Sequence, residues 1–311
     1  MRYLALTLPA LPPLSASAAH ALRTLITGLA AILSVASAAG AQQPPTPLRS
    51  PALIHPTTAD LDTIRLTSGR AWRRTVSPHF VVYREQPVSG TSVTATIDSL
   101  EAAWTAAVTL LGRPVAETPR AHVFVTASRT RFAGFVPPEA KGVTTQLRTG
   151  DDIILMVQND SVRLYSRHEV MHLVAVRAWG PSRAAPWLVE GLATFADGRC
   201  QSSTVVAMSR DLLEARPALR AQDVVERFLD LVRTERGAAY VLAGSLVDYL
   251  WTSRGREGVH RLWMGRDSLS ENAILPGTGG ELTRAWRMHV AQKAGATPGL
   301  STASFLRAAC G

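Results

Sequence analysis

The stretch that decides the reading is LYSRHEVMHLVAV, residues 164–176, where His168 and His172 flank Glu169 in an otherwise apolar run. On an α-helix, residues four apart lie about 40° apart on one face, one turn above the other. Two imidazoles so placed can converge on one ion about 2.1 Å from each nitrogen. Glu169 stands about 100° round from His168, off that face yet near enough to reach a water held by the same ion. Zinc lowers the pKa of such a water to about 7, and a carboxylate beside it can take the proton and pass it to a leaving amine. The alternative is a pair of helix histidines satisfied by ordinary hydrogen bonds, with no ion.

A catalytic zinc takes three protein ligands and keeps one position open, so the third ligand is decisive. A third histidine on the same helix is excluded: Ala175 and Ala178 stand where the longer HExxHxxGxxH pattern has its glycine and last histidine. Eighteen residues after His172 comes Glu190, inside PWLVEGLATFADG (186–198), which reads as a second helix opening at Pro186. Helix, short turn at WGPSRAAP, helix can fold this carboxylate back onto the first pair, and Glu190 is the preferred third ligand. Asp197, two turns further on, is expected either to orient a ligand histidine or to cap the helix before Gly198.

Around this motif the chain divides in two. HFVVYRE (79–85), AHVFVTA (121–127) and DIILMVQ (152–158) have the β-branched and aromatic content of strands, and GVTTQ (142–146) reads as an edge strand before a turn. Between the first two, Val93, Ile97, Leu100, Trp104 and Leu111 fall at helical spacing until Gly112 and Pro114. From Val162 the pattern is helical, over about 162–179, 187–197, 221–234, 238–252, 256–264 and 281–292. Sheet first and helices second predict an α+β fold, a small mixed sheet with a flanking helix followed by a mainly helical half that carries the HExxH helix. At 311 residues, 46% hydrophobic and 18% charged, the chain is long and apolar enough for such a core, and disorder is excluded.

The N-terminus reads differently. Arg23, an apolar run from about Leu25 to Ser37, and Ala39-Gly40-Ala41 make the charged region, apolar region and cleavage site of a signal peptide over 1–41, so export to a periplasm or beyond is expected. An uncleaved membrane anchor is the alternative. Residues 42–71, proline-rich through QQPPTPLRSPALIHP, read as a flexible linker before a domain over 72–292 and a tail over 293–311. In an oxidising compartment the two cysteines, Cys200 and Cys310, are expected to pair and tie the tail back, two free buried thiols being the alternative. Loss of residues 1–41 removes Arg2 and Arg23 and no acid, taking the net charge from +9 to +7. Lys141 and Lys293 are the only lysines, and neither an arginine run of five nor a nucleic-acid motif occurs, so nucleic acid is not an expected partner.

HEVMH followed by the glutamate of WLVEGLATF resembles the gluzincin metallopeptidases, above all those with a peptidase-MA-like domain, related to aminopeptidase N and thermolysin. SPHFVVY (77–83), GAAYVLAGSLVDYLWTSRG (237–255) and ELTRAWRMHV (281–290) resemble that group's opening strand, downstream helix and closing helix, so the resemblance spans roughly 72–292. It implies a thermolysin-like catalytic domain, one zinc ion held by His168, His172 and Glu190, and Glu169 as general base and acid. It also implies that Tyr240 donates to the oxyanion, a packing role being the alternative for that ring; His260 and His289 are lesser candidates for the same role. The related aminopeptidases have Tyr-x-x-Gly here, whereas Gly244 stands one residue later. They also carry Gly-x-Met-Glu-Asn upstream, whose glutamate grips a free amino terminus; the corresponding GVTTQ has no carboxylate. The expected function is therefore an exported zinc peptidase acting on peptides or proteins, endopeptidase rather than aminopeptidase. The alternatives are a zinc hydrolase with a non-peptide substrate and a catalytically silent binding protein.

Overall fold

Strands form where β-branched and aromatic residues run together, and helices where apolar residues recur at three and four. The computed structural model describes residues 72–85, 92–115, 118–128, 141–147, 149–160, 162–200, 203–267 and 280–295. The expected signal peptide (1–41), linker (42–71) and Cys310 lie outside them. In chain order the elements are β1 (Trp72–Val76), β2 (Phe80–Glu85), α1 (Val93–Leu111), β3 (Ala121–Thr126), β4 (Gly142–Gln146), β5 (Asp152–Val157), α2 (Ser166–Trp179), α3 (Pro186–Asp197), β6 (Arg199–Cys200), β7 (Ser203–Thr204), α4 (Val205–Ala215), α5 (Ala221–Glu226), α6 (Phe228–Trp263) and α7 (Glu281–Ala294). Among the described residues, no helix is long and apolar enough to cross a membrane.

The main sheet has the order β1-β2-β3-β5-β4. β2, β3 and β5 run parallel at its centre, and β1 and β4 are antiparallel at its edges. Central parallel strands are covered on both faces, which is why β2 is buried at every position. Strand alternation sends Phe80, Val82, Val123, Val125, Ile154 and Met156 into the large core beneath the helices, and Val81, Tyr83, Phe124, Ile153 and Leu155 into a smaller cluster on the other face. The mixed α/β architecture, with its edge strand at 142–146, agrees with the α+β expectation.

Several boundaries differ from the sequence reading. β1 was not expected; its arginines leave it largely exposed, so it lacks the apolar alternation of an inner strand. α4 was also not expected, although Thr204 caps it by accepting from the Ala207 amide and its inner face is Val205, Met208, Leu212 and Leu213. α2 begins at Ser166, not 162, because Asn159 and Val162 form a β-bridge just before it. The expected helices 238–252 and 256–264 are parts of α6, which has non-helical backbone at Glu235 and at Gly255, the latter with φ 66°. Cys200 is fully buried in the short β6–β7 hairpin.

α1 is tied to the β1–β2 turn through Glu101, which accepts from Ser77 Oγ (2.5 Å), the His79 amide (3.1 Å) and the His79 ring (2.6 Å). Burial works to raise the Glu101 pKa, but hydrogen bonds from His79 and Ser77 outweigh it and hold the carboxyl below its ordinary value. A depressed folded pKa gives stability that is present above the unfolded pKa and lost as pH falls through the folded one. Glu101→Gln should therefore cost about 1 kcal/mol at neutral pH, a figure kept small by partial exposure of the site. By urea unfolding, the gap from wild type should close as pH falls below about 4.

Candidate metal centre

α2 presents the two histidines because both its flanks are fixed. At its start Ser166 Oγ meets Ser99 Oγ of α1 at 2.6 Å. Near its end Arg177 donates to Asp152 of β5 at 2.8 Å and to the Pro119 carbonyl at 2.9 Å. Val170, Met171, Val174 and Ala175 fill the core, so the helix cannot rotate without exposing them. His168 and Glu169 are buried, and His172 is half-buried.

α3 returns across α2 after a Pro186 start, with Trp187 and Leu188 buried below. Small residues let it approach α6 closely. A Cβ on Gly191 would stand 2.8 Å from the Ala243 carbonyl oxygen, and one on Gly244 would stand 2.8 Å from Thr194 Cγ2. This approach sets the depth of Glu190, next to Gly191, and brings its carboxylate to the histidines.

The three donors make a nearly equilateral triangle. His168 Nε2 and His172 Nε2 are 3.2 Å apart, and Glu190 Oε2 is 3.3 Å from the first and 3.4 Å from the second. Donors at about 2.0–2.1 Å from a tetrahedral ion stand about 3.3–3.4 Å from one another. The spacing is thus that of three corners of such a tetrahedron, and two imidazoles with one carboxylate suit a borderline ion such as zinc. His168, His172 and Glu190 form the one group of three or more potential ligands among the described residues.

The charges at this site are coupled. Burial disfavours the Glu190 carboxylate, but the His172 and His168 imidazoles overcome this and hold its carboxyl far below the usual range. Burial likewise opposes a charged His172, and Glu190 outweighs it, raising the imidazole pKa. For Glu169 burial wins, raising its pKa against the pull of both histidines and a hydrogen bond from Thr144.

Tyr240 of α6 lies beside the cluster, its ring centroid 6.0 Å from that of His168 and 5.9 Å from that of Phe228. His260 and His289 are engaged elsewhere. His260 Nδ1 faces Arg113 at 3.2 Å and Glu257 at 3.4 Å, and His289 Nε2 pairs with Asp248 at 3.0 Å. Asp197 neither touches a ligand histidine nor serves only as a cap. It is buried in an ion pair with Arg163 at 2.5 Å, and Arg163 also donates to the Arg199 carbonyl at 2.9 Å.

That ion pair belongs to a brace not visible in the sequence. The Arg163 guanidinium lies over the Tyr165 ring at 4.4 Å, and Lys141, at the entry to β4, donates to the Tyr165 hydroxyl at 3.0 Å. Tyr165 immediately precedes α2, so the brace joins the edge strand, the histidine helix and the end of the glutamate helix. The other contact missed is Thr144, whose hydroxyl faces both the main-chain oxygen of Glu169 (2.9 Å) and its Oε2 (2.8 Å). Its polar side chain on the helix-facing side of an edge strand was the only sequence signal for it. No family model matches the chain, and no curated protein matches it.

Proposed function

We propose that this protein is an exported zinc peptidase of the gluzincin type, with a thermolysin-like catalytic domain and a preference for cutting within peptides. The observation that carries this reading is the donor triangle of His168, His172 and Glu190, with Glu169 next to its first corner. Zinc, when bound, supplies a Lewis acid that polarises the scissile carbonyl and lowers the pKa of the attacking water to about 7.

The remaining work falls to side chains of this chain. His168, His172 and Glu190 are the residues that would hold the ion. Glu169 takes a proton from the water as its oxygen bonds to the carbonyl carbon. It returns that proton to the amine nitrogen as the carbon–nitrogen bond breaks, so the base is regenerated. The Tyr240 hydroxyl donates to the oxygen that becomes negative in between. β4 ends the sheet order, and a substrate backbone can add along its outer edge beside the site. GVTTQ carries no acid to hold a free amino terminus, which favours endopeptidase action.

The test is digestion of a mixed peptide library by the purified, zinc-loaded protein, read by mass spectrometry. Internal cleavage that a chelator abolishes and added zinc restores is expected. A zinc-loaded chain that cleaves nothing would overturn the reading in favour of a binding role or a non-peptide substrate.

A further inference from the structure

We infer that Gly142 and Thr144 of β4 form a socket that positions the Glu169 carboxylate for proton transfer, a role that rests on the peptidase reading above. The two residues are two apart on a strand and therefore face the same side, toward α2. Gly142 stands opposite Met156, and Thr144 opposite Ile154, in the ladder with β5. Both partners are fully buried, so the socket is as rigid as the sheet.

Each half of the socket acts on a different part of the carboxylate. The Thr144 hydroxyl has one proton to give and two acceptors on Glu169 within reach, Oε2 at 2.8 Å and the main-chain oxygen at 2.9 Å, and the socket assigns the proton to the nearer, charged Oε2. Oε1 lies on the side of Gly142, where a Cβ would stand 2.3 Å from it, 2.7 Å from Cδ and 2.8 Å from Cγ. No residue larger than glycine leaves the Glu169 side chain where it is. Thr144 thus ties down one oxygen, and Gly142 leaves room for the other, which remains to accept the proton of the attacking water. Proton transfer needs hydrogen-bond reach, and a displacement of about 1 Å at a reacting group can cost 10²-fold in rate. Gly142 and Thr144 are positioning residues. Neither belongs to the donor triangle, and both act on the reaction through the Glu169 carboxylate.

The experiment compares Thr144→Val, Thr144→Ser and Gly142→Ala with wild type, all zinc-loaded, by kinetics and by crystal structure. Thr144→Val keeps the shape and loses the donor. It should lower kcat about 10-fold or more at nearly unchanged KM and unchanged zinc content, and Thr144→Ser should restore the rate to within about threefold. Gly142→Ala should lower kcat about 10²-fold, with the Glu169 carboxylate displaced away from β4 in its crystal structure. Thr144→Val turning over like wild type, Thr144→Ser falling as far as Thr144→Val, or a carboxylate unmoved in Gly142→Ala would each overturn the socket. If zinc-loaded wild type cleaves no peptide, the peptidase reading fails. The socket is then judged by the carboxylate positions alone, which the crystal structures report without turnover.

Discussion

Replacing Glu169 with glutamine should leave the zinc bound and lower peptide cleavage by about 10²–10⁴-fold, the usual contribution of a general base. Glutamine has the same shape and cannot take a proton. The triangle of donors does not include Glu169, so metal content should not change. The Thr144 hydroxyl can donate to the amide oxygen as it does to Oε2 of the carboxylate, so the variant should also fold. Burial raises the Glu169 pKa in the metal-free chain, the direction that suits a group required to accept a proton and then give it back. Wild-type turnover in Glu169→Gln would show that Glu169 is not the base. Loss of zinc in that variant would instead make Glu169 a ligand.

Glu190→Ala should lower zinc affinity by at least about 10²-fold, beyond what loss of a mere orienting partner of a ligand costs. Two imidazoles would remain, without the carboxylate that offsets the ion's charge. The half-buried side chain contributes little packing, and Trp187, Leu188 and Gly191 hold α3 without it, so the variant should fold.

The same residue has a signature in the metal-free chain. A carboxyl held low contributes stability above its unfolded pKa and loses it as pH falls through the folded value. A raised imidazole contributes below its unfolded pKa and loses it as pH rises through the folded value. The Glu190–His172 pair therefore stabilises the metal-free protein most between those limits, from mildly acid pH toward neutrality. The destabilisation by Glu190→Ala should be largest in that window when measured without metal by thermal unfolding.

The parts of this site that were legible in the sequence are those governed by short-range geometry. His168 and His172 are one turn apart on any helix, and a short turn at Gly180-Pro181 is enough to bring Glu190 back. β2, β3 and β5 were readable because buried parallel strands are continuous apolar runs. β1 was not, since Arg73 and Arg74 are both exposed on an edge strand and break the apolar alternation.

Long-range pairing was beyond reach for a different reason. Helical spacing says which face Asp197 is on, but its partner Arg163 lies 34 residues back in the chain. Thr144 touches Glu169 only because β4 packs against α2, a contact with no periodic trace. His260 and His289 were lesser candidates for the oxyanion role, and each is already paired, with Glu257 and Asp248 respectively.

The metal centre is tested most directly by elemental analysis of the purified protein after dialysis, with Glu190→Ala and a His168→Ala/His172→Ala double variant alongside. One zinc per chain is expected in wild type and almost none in either variant. A wild type that retains no zinc when offered it, or variants that retain as much as wild type, would contradict this expectation.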